Sequence, residues 1–427
     1  MLLKKTKIAI AGVGTVGSGV IELIKKNSIQ KNFGIEVTAI ASRRKLKKAN
    51  LGFSSINFFN DAERLINFDN YDILVELIGG DEGISKKIVF DALKKGKSVV
   101  TANKALVSKH WKKLNEITKK KKSEIKYEAA VAGGIPIIKV LNDFLISNKI
   151  KKIYGILNGT SNFILTNMLC SKSKFEKILE EAQQLGYAEA DPSFDIDGVD
   201  TSHKLAILSS LAFNINCDLK SIYVEGIRNI DLTDLLYADE LGYKIKLLGI
   251  AQVRQKQIIN FVYPCLVGQN ELISKVDGVF NAIVIESDFC KKSFFQGEGA
   301  GSQPTATSVL SDIIDLSIKE SKEKLKPKVK ILKNINILDR SGSFYLRFST
   351  IDQPGVISGI TSEFKKNNIS MKTMLQKDGV PKEKKCATIV ITTHTCNESD
   401  MMKALKKINN LKFVLKKTAY IRIESFK

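Results

Sequence analysis

A short apolar run, Lys7–Ala11, leads directly into Gly12-Val13-Gly14-Thr15-Val16-Gly17, and helical spacing follows from Val16 to Lys26. Few folds accept glycines at these intervals between a strand and a helix. The first glycine lets the chain turn tightly, the second lets backbone approach a pyrophosphate, and the third lets strand and helix pack closely. The helix start then offers unpaired N–H groups and the positive end of its dipole to phosphate. A glycine-rich turn without ligand is the plain alternative. The strand–loop–helix setting favours a dinucleotide site, with Gly12, Val13, Gly14, Thr15, Val16 and Gly17 as its contacts.

The alternation continues beyond the loop. Glu36–Ser42, Tyr71–Ile78, Lys97–Thr101 and Glu124–Ala130 read as strands, and Ser85–Lys95 and Lys104–Lys120 carry helical spacing. Such βα repetition predicts an α/β fold whose first domain, residues 1–134, is a doubly wound parallel sheet of Rossmann type. Gly133-Gly134-Ile135-Pro136 punctuates the chain, and a helix is expected to start at the proline. Residues 135–303 mix helices (Ile137–Ile146, Lys174–Leu185, Thr201–Ala212) with strands (Gln257–Val267, Asn281–Ser287), an α+β second domain. A helical run at 304–318 is placed to pack back on the first domain. Residues 319–342 open with a lysine-rich run that reads as a solvated linker. Residues 343–427 follow a ferredoxin-like βαββαβ order: Ser343–Thr350, Val356–Asn367, Met371–Gln376, Ala387–Thr393, Ser399–Ile408 and Thr418–Ile423.

Composition narrows the setting. Every apolar run is interrupted well short of the roughly 18 residues needed to span a bilayer, so no membrane partner is expected. The six cysteines lack CxxC spacing and the three histidines are as dispersed, which argues against a disulfide framework or a zinc site and suggests a reducing, cytoplasmic setting. A formal charge of +22 raises the question of nucleic acid. The lysines are spread over the whole chain without a basic, aromatic-laced stripe, so biased composition and an affinity for anionic small molecules are the better reading.

Two places carry sharper chemistry. An NAD-selective site ends its second strand in an acidic residue that meets the ribose hydroxyl. Here the strand ends Ile40-Ala41-Ser42-Arg43-Arg44 with no carboxylate. Guanidiniums bind a 2′-phosphate through charge-assisted, bidentate bonds, so NADP(H) is expected over NAD(H). Further on, Glu189, Asp191, Asp195, Asp197 and Asp200 crowd a short loop that ends where a helix starts. Asp200 and Lys204 stand four apart on one helix face. Taken alone they would be a weak surface ion pair.

That segment resembles the signature of homoserine dehydrogenases. Ala182, Gly186-Tyr187, Asp191-Pro192, Asp195, Gly198, Asp200 and Lys204 all fall at its spacings. The resemblance extends to Gly12–Gly19, Thr101-Ala102-Asn103-Lys104, Glu128–Pro136, Asn158–Phe163 and Gly299-Ala300-Gly301. It implies an NADP-dependent interconversion of L-aspartate 4-semialdehyde and L-homoserine, on the way to threonine, methionine and isoleucine. By the same resemblance Lys204 is the proton donor and acceptor, and Glu189 and Asp200, with Asp195, hold the substrate. Lys104 lies between cofactor and substrate, and Thr101 and Gly301 border the cofactor. Glu128, Val131, Gly133 and Ile135 would form a monovalent cation site, usually assigned to sodium. The chemistry agrees, because hydride delivery to an aldehyde leaves charge on oxygen that needs a proton and nearby positive charge.

Residues 343–427 resemble ACT domains through Tyr345-Leu346-Arg347-Phe348 and the turn Asp352-Gln353-Pro354-Gly355. That implies an amino-acid effector near Asp352, Pro354 and Gly355, for which L-threonine is the natural expectation, and paired domains in a homodimer or homotetramer. No aspartate kinase segment precedes the dehydrogenase part, so the monofunctional form is expected. A catalytically silent, amino-acid-sensing nucleotide-binding protein is the alternative, and intact Lys104, Glu189, Asp200 and Lys204 speak against it.

Overall fold

The structure is a computed structural model that describes residues 5–26, 28–43, 56–318, 329–377 and 386–426. In the first unit, strands β1 (Thr6–Ala11), β2 (Ile35–Ala41), β3 (Asn57–Phe59), β4 (Ile73–Glu76), β5 (Ser98–Thr101) and β6 (Ile125–Lys126) form a 6-stranded sheet in the order β3-β2-β1-β4-β5-β6. All its pairings are parallel. Ile8, Ala9, Ile10 and Ala11 of β1 are fully buried, because helices cover both faces of such a sheet. The helices needed below are α1 (Thr15–Lys26), α2 (Gly83–Lys94) and α3 (Lys104–Lys121). The strand order reverses at β1, and the glycine loop lies at the carboxyl end of that strand, where open α/β sheets bind ligands.

The strand expected over Glu124–Ala130 is shorter. It stops at Lys126, and Glu128–Ala130 turns as a 3-10 helix. The turn is held by Glu128, whose N–H donates to Asp312 and whose two carboxylate oxygens accept from the N–H groups of Ile138 and Lys139. The helix expected from Pro136 is a single α turn, Ile137–Lys139, that widens into π geometry over Val140–Phe144.

The second unit contains β7 (Ile150–Ile156), α4 (Gly159–Cys170), α5 (Phe175–Gln184), α6 (Val199–Phe213), β8 (Tyr223–Val224), α7 (Leu232–Glu240), β9 (Tyr243–Arg254), β10 (Gln257–Gly268), β11 (Phe280–Ser287) and β12 (Lys292–Glu298). Strands β7, β9 and β12 are not foreseen in the sequence reading. Helix α8 (Ser302–Ile318) returns to the first unit and packs on α1. Gly19 of α1 allows this contact: a Cβ there would lie 2.6 Å from Ser302 Oγ.

The C-terminal part contains β13 (Lys333–Asn334), β14 (Ser341–Ile351), α9 (Val356–Lys366), β15 (Met371–Lys377), β16 (Cys386–Thr393), β17 (Cys396–Asn397), α10 (Glu398–Ile408) and β18 (Ala419–Glu424). Its main strands run β18-β14-β16-β15, the ferredoxin-like arrangement. Alternation along β14 divides its side chains. Phe344, Leu346 and Phe348 pack under α9 and α10, while Tyr345, with Val390 and Ile421, joins the core of the second unit. The two sheets are one, because β18 pairs in parallel with β10, Arg422 opposite Cys265. The expected linker begins outside the described residues, and its described end is docked: Lys330 bridges to Ile215 and β13 pairs with β10. Among the described residues no helix is long and apolar enough to cross a membrane.

Candidate active site

The phosphate loop follows from its glycines. Gly12 has φ +100, and a Cβ there would meet the Leu77 carbonyl at 2.7 Å. At Gly17 a Cβ would lie 2.2 Å from Gly12 O, so only glycine lets α1 start so close to β1. Gly14 has nothing within 4 Å, which leaves its backbone open to an incoming diphosphate. The first turn of α1 carries no acidic residue to oppose an anion. Gly301, φ +112, borders the loop: its neighbour Ser302 donates to Thr15 O at 2.8 Å. These residues fit a nicotinamide dinucleotide. Arg43 is exposed just past β2, and Arg44 lies outside the described residues.

Thr101 and Lys104 are set by a buried polar floor. Thr101 donates to Glu76 at 2.6 Å, and the other Glu76 oxygen accepts from the N–H groups of Ile78 and Gly79. Asn103 caps α3 by accepting from Leu106 N and reaches back to Gly80 O at 2.6 Å. Lys104, the first residue of α3, is thereby aimed across to α6.

On α6 the i,i+4 spacing meets a buried setting. Gly198, φ +82, caps the helix, so Asp200 falls in the first turn and Lys204 one turn later. Asp200 is 1% exposed. One oxygen lies 2.7 Å from Lys204 Nζ and the other 2.5 Å from Lys104 Nζ. Asn158 donates to Asp200 at 2.8 Å and to Asp195 at 2.7 Å, tying the two carboxylates together. Lys204 also donates to Leu157 O at 2.6 Å. An ammonium has three N–H groups, so one remains for a reacting oxygen.

The electrostatics follow from this crowding. Burial opposes the charge of Asp200, yet the two ammoniums outweigh it and hold the carboxyl well below the usual range. Burial lowers the pKa of Lys204; Asp200 opposes the shift and Lys104 adds to it. Lys104 is also penalised by burial, but Asp200 outweighs that and raises its pKa. Asp195 is raised, by burial first and by Asp200 second. The result is one fixed anion, one stable cation and one lysine poised to lose its proton.

The acidic loop divides in space. Asp195 and Asp200 join the lysines, whereas Asp191 accepts from its own turn at Ser193 N and Asp197 pairs with Arg228. Glu189 is exposed on the rim and acts on Lys104 through its charge. The proposed cation ligands fall in one turn, where Ala132 and Gly133 both have positive φ. The Glu128 carboxylate is already committed to two backbone N–H groups. The carbonyls of Glu128, Gly133 and Ile135 each accept one hydrogen bond, which leaves each a second lone pair, so the fit to a cation is through carbonyls. Among the described residues no group of three His, Cys, Asp or Glu is gathered for a metal. Asp352, Pro354 and Gly355 form an exposed turn, with Gly355, φ +90, capping α9.

Sequence reasoning assigns no role to Asn158, nor to the pair Ser108–His203. Ser108 Oγ and His203 Nδ1 are 2.6 Å apart and staple α3 to α6. The Phe194 ring lies 5.6 Å from His203 and 5.5 Å from Lys104 Nζ. Asn158 sits in a quoted motif, and its cap on α4 through Ser161 N is the signal that could have found it.

Known proteins place this arrangement. The profile "Homoserine dehydrogenase, NAD binding domain" matches residues 12–128, "Homoserine dehydrogenase" matches 136–314 and "ACT domain" matches 344–413. The chain is 40% identical to the homoserine dehydrogenase of Helicobacter pylori, covering 99% of this chain and 100% of that protein. It is 38% identical to that of Neisseria gonorrhoeae, covering 99% of each. The crystal structure of a homoserine dehydrogenase from Thiobacillus denitrificans superposes with a TM-score of 0.91 at 37% identity, covering 99% of this chain and 98% of that one. A hyperthermophilic archaeal homoserine dehydrogenase in complex with NADPH superposes at 0.62 with 30% identity, covering 75% of this chain and 100% of that one.

Proposed function

Since the chain belongs to the homoserine dehydrogenase family and is an oxidoreductase, we propose that it interconverts L-aspartate 4-semialdehyde and L-homoserine with NADP(H) in preference to NAD(H). The observation that carries this is the ion set Lys104–Asp200–Lys204, with Asp200 and Lys204 buried and Lys104 partly open to solvent at the start of α3. A bound nicotinamide supplies hydride exchange at the carbon that bears the reacting oxygen. In the reducing direction Lys204 gives its proton to that oxygen, and in the oxidising direction neutral Lys204 takes the hydroxyl proton. Lys104 provides fixed positive charge where negative charge develops. Asp200 stays ionised throughout and holds both amines, and Glu189, Asp200 and Asp195 are assigned to the substrate's ammonium or hydroxyl.

Arg43 and Arg44 are assigned to the 2′-phosphate, and Thr101 and Gly301 to the cofactor's borders. The archaeal relative in complex with NADPH fits the assignment of a 2′-phosphate-bearing cofactor. The carbonyls of Glu128, Val131, Gly133 and Ile135 are assigned to a monovalent cation, sodium by expectation, which would brace the turn between the first two units. We divide the chain at 134, 303 and 342, with L-threonine as effector of the last unit. We place the enzyme in the cytoplasm, in threonine, methionine and isoleucine biosynthesis, as a homodimer or homotetramer. Following absorbance while homoserine is offered with NADP+ or NAD+ tests the core reading: faster reduction of NADP+ is expected, and no reduction of either would overturn it.

A further inference from the structure

A buried side chain of the C-terminal unit reaches the segment that braces the loop of Phe194 and Asp195. Arg422 of β18 is 1% exposed and carries a full charge into the seam between the two sheets. A charge so placed has to be paired on every side. On its own unit Arg422 donates to Glu398 at 2.8 and 2.5 Å, at the first turn of α10. Across the seam it donates to Glu225 at 2.6 Å and to the Tyr223 hydroxyl at 3.3 Å. Tyr223 in turn donates to the same Glu225 oxygen at 2.9 Å.

Glu225 begins a short segment that lies against the loop bearing Phe194 and Asp195. Its N–H is tied to Val262 O, which fixes one end on β10. Gly226 follows, where a Cβ would sit 2.2 Å from Ile196 O, so backbone touches backbone there. Ile227 N donates to Ile196 O at 2.8 Å, and Arg228 binds Ser193 and Asp197. Residues 225–228 are thus fastened to both ends of the helical turn Ser193–Ile196. The Glu225–Arg422 bond ties that segment to the C-terminal strand.

We infer that Arg422, acting through Glu225, is a positioning residue for the substrate loop, so that the C-terminal unit helps shape the homoserine site in cis. The inference rests on the reading of Asp195 and Glu189 as substrate ligands. It gives Glu398, which anchors α10 to Arg422, a means of passing displacement of that helix to Asp195.

Glu225→Ala tests this, because Glu225 is partly exposed and Arg422 keeps Glu398 as partner. The expected result is a rise of about tenfold in KM for homoserine, from a displaced loop, with KM for NADP+ unchanged. Glu225→Gln, which keeps an acceptor for Arg422, should restore most of the affinity. Tyr263→Phe removes the Tyr263–Glu424 bond of the same seam without touching Glu225, and should leave KM for homoserine unaltered. An unchanged KM in Glu225→Ala, or the same rise in Tyr263→Phe, would overturn the inference. Asp195→Asn, run alongside, separates the readings: if it raises KM for homoserine while Glu225→Ala leaves KM normal, only this inference fails, and if it leaves KM unchanged, the reading of Asp195 as a substrate ligand fails first.

Discussion

Lys204 stands one helical turn beyond Asp200, and its ammonium lies 2.7 Å from Asp200 Oδ2 with both side chains buried. On a surface such a pair would contribute little. Here Asp200 also neutralises Lys104, so Asp200→Asn leaves two ammoniums without their counter-charge. The expected loss is about 3 kcal/mol, the low end for breaking a buried pair because Lys104 keeps some contact with water. Chemical denaturation measures it. A variant as stable as the parent would mean that the carboxylate is not ionised between the lysines.

Lys204 should also set the pH dependence of homoserine oxidation. Burial lowers its pKa, so the neutral amine that accepts the hydroxyl proton forms at lower pH than for an ordinary lysine. The rate should rise as pH climbs through that lowered pKa and level off above it. In Lys104→Met, the neighbouring ammonium that adds to the lowering is gone and Asp200 bears on Lys204 alone, so the rising limb should move to higher pH. A limb that stays in place or moves to lower pH would contradict the coupling.

Arg43, at the end of β2, should govern cofactor choice. Arg43→Ala is expected to weaken NADPH binding by about tenfold, the scale of one charge-assisted hydrogen bond, and to leave NADH nearly unchanged. Fluorescence titration with both cofactors reads this. Equal losses would show that Arg43 does not distinguish the 2′-phosphate.

How far these features were legible depended on whether the physics was local. Gly12, Gly14 and Gly17 are local: their turn, opening and close approach are properties of consecutive backbone, and the loop forms where the sequence places it. The spacing of Asp200 and Lys204 was equally plain, but not their burial, because that depends on Asn158, Leu157 and α3 arriving from distant parts of the chain. β9 alternates only over Tyr243–Leu247 and then runs apolar through Leu247, Leu248, Gly249, Ile250 and Ala251, so its period is blurred, and Lys246, which alternation would assign to solvent, is buried with its ammonium bonded to Asn162, Val276 O and Asp277. The pairing of β18 with β10 joins segments well over a hundred residues apart, and nothing near either strand announces it. The lysine-rich run reads as a solvated linker and lies at 319–328 outside the described residues, and nothing in it announces that the chain docks on Asn214 and Ile215 at Lys330.

That docking changes what a truncation would do. A chain ending at Lys333 would uncover the β10 edge and expose the core around Leu266, which Tyr345, Val390 and Ile421 help to bury. Each lost apolar side chain is worth about 1.5–3 kcal/mol, so the shortened chain should melt well below the full one or fail to remain dispersed. Normal melting would show that the first two units stand alone.

Regulation is better probed in the intact chain. L-Threonine is expected to bind and lower activity, and Asp352→Ala, on the exposed turn before α9, should weaken both effects while leaving basal turnover unchanged. Calorimetry with parallel rate measurements reads them. No heat and no inhibition in the parent would remove threonine as the effector, since a ligand shifts activity only by favouring one arrangement over another.

The most direct test of the site is Lys204→Ala, assayed for NADP+ reduction by homoserine with cofactor affinity measured in parallel. Turnover should fall by about a hundredfold or more, the scale of losing a general acid and base, while NADP+ binds as before. Near-normal turnover in the folded variant would contradict the assignment of proton transfer to Lys204.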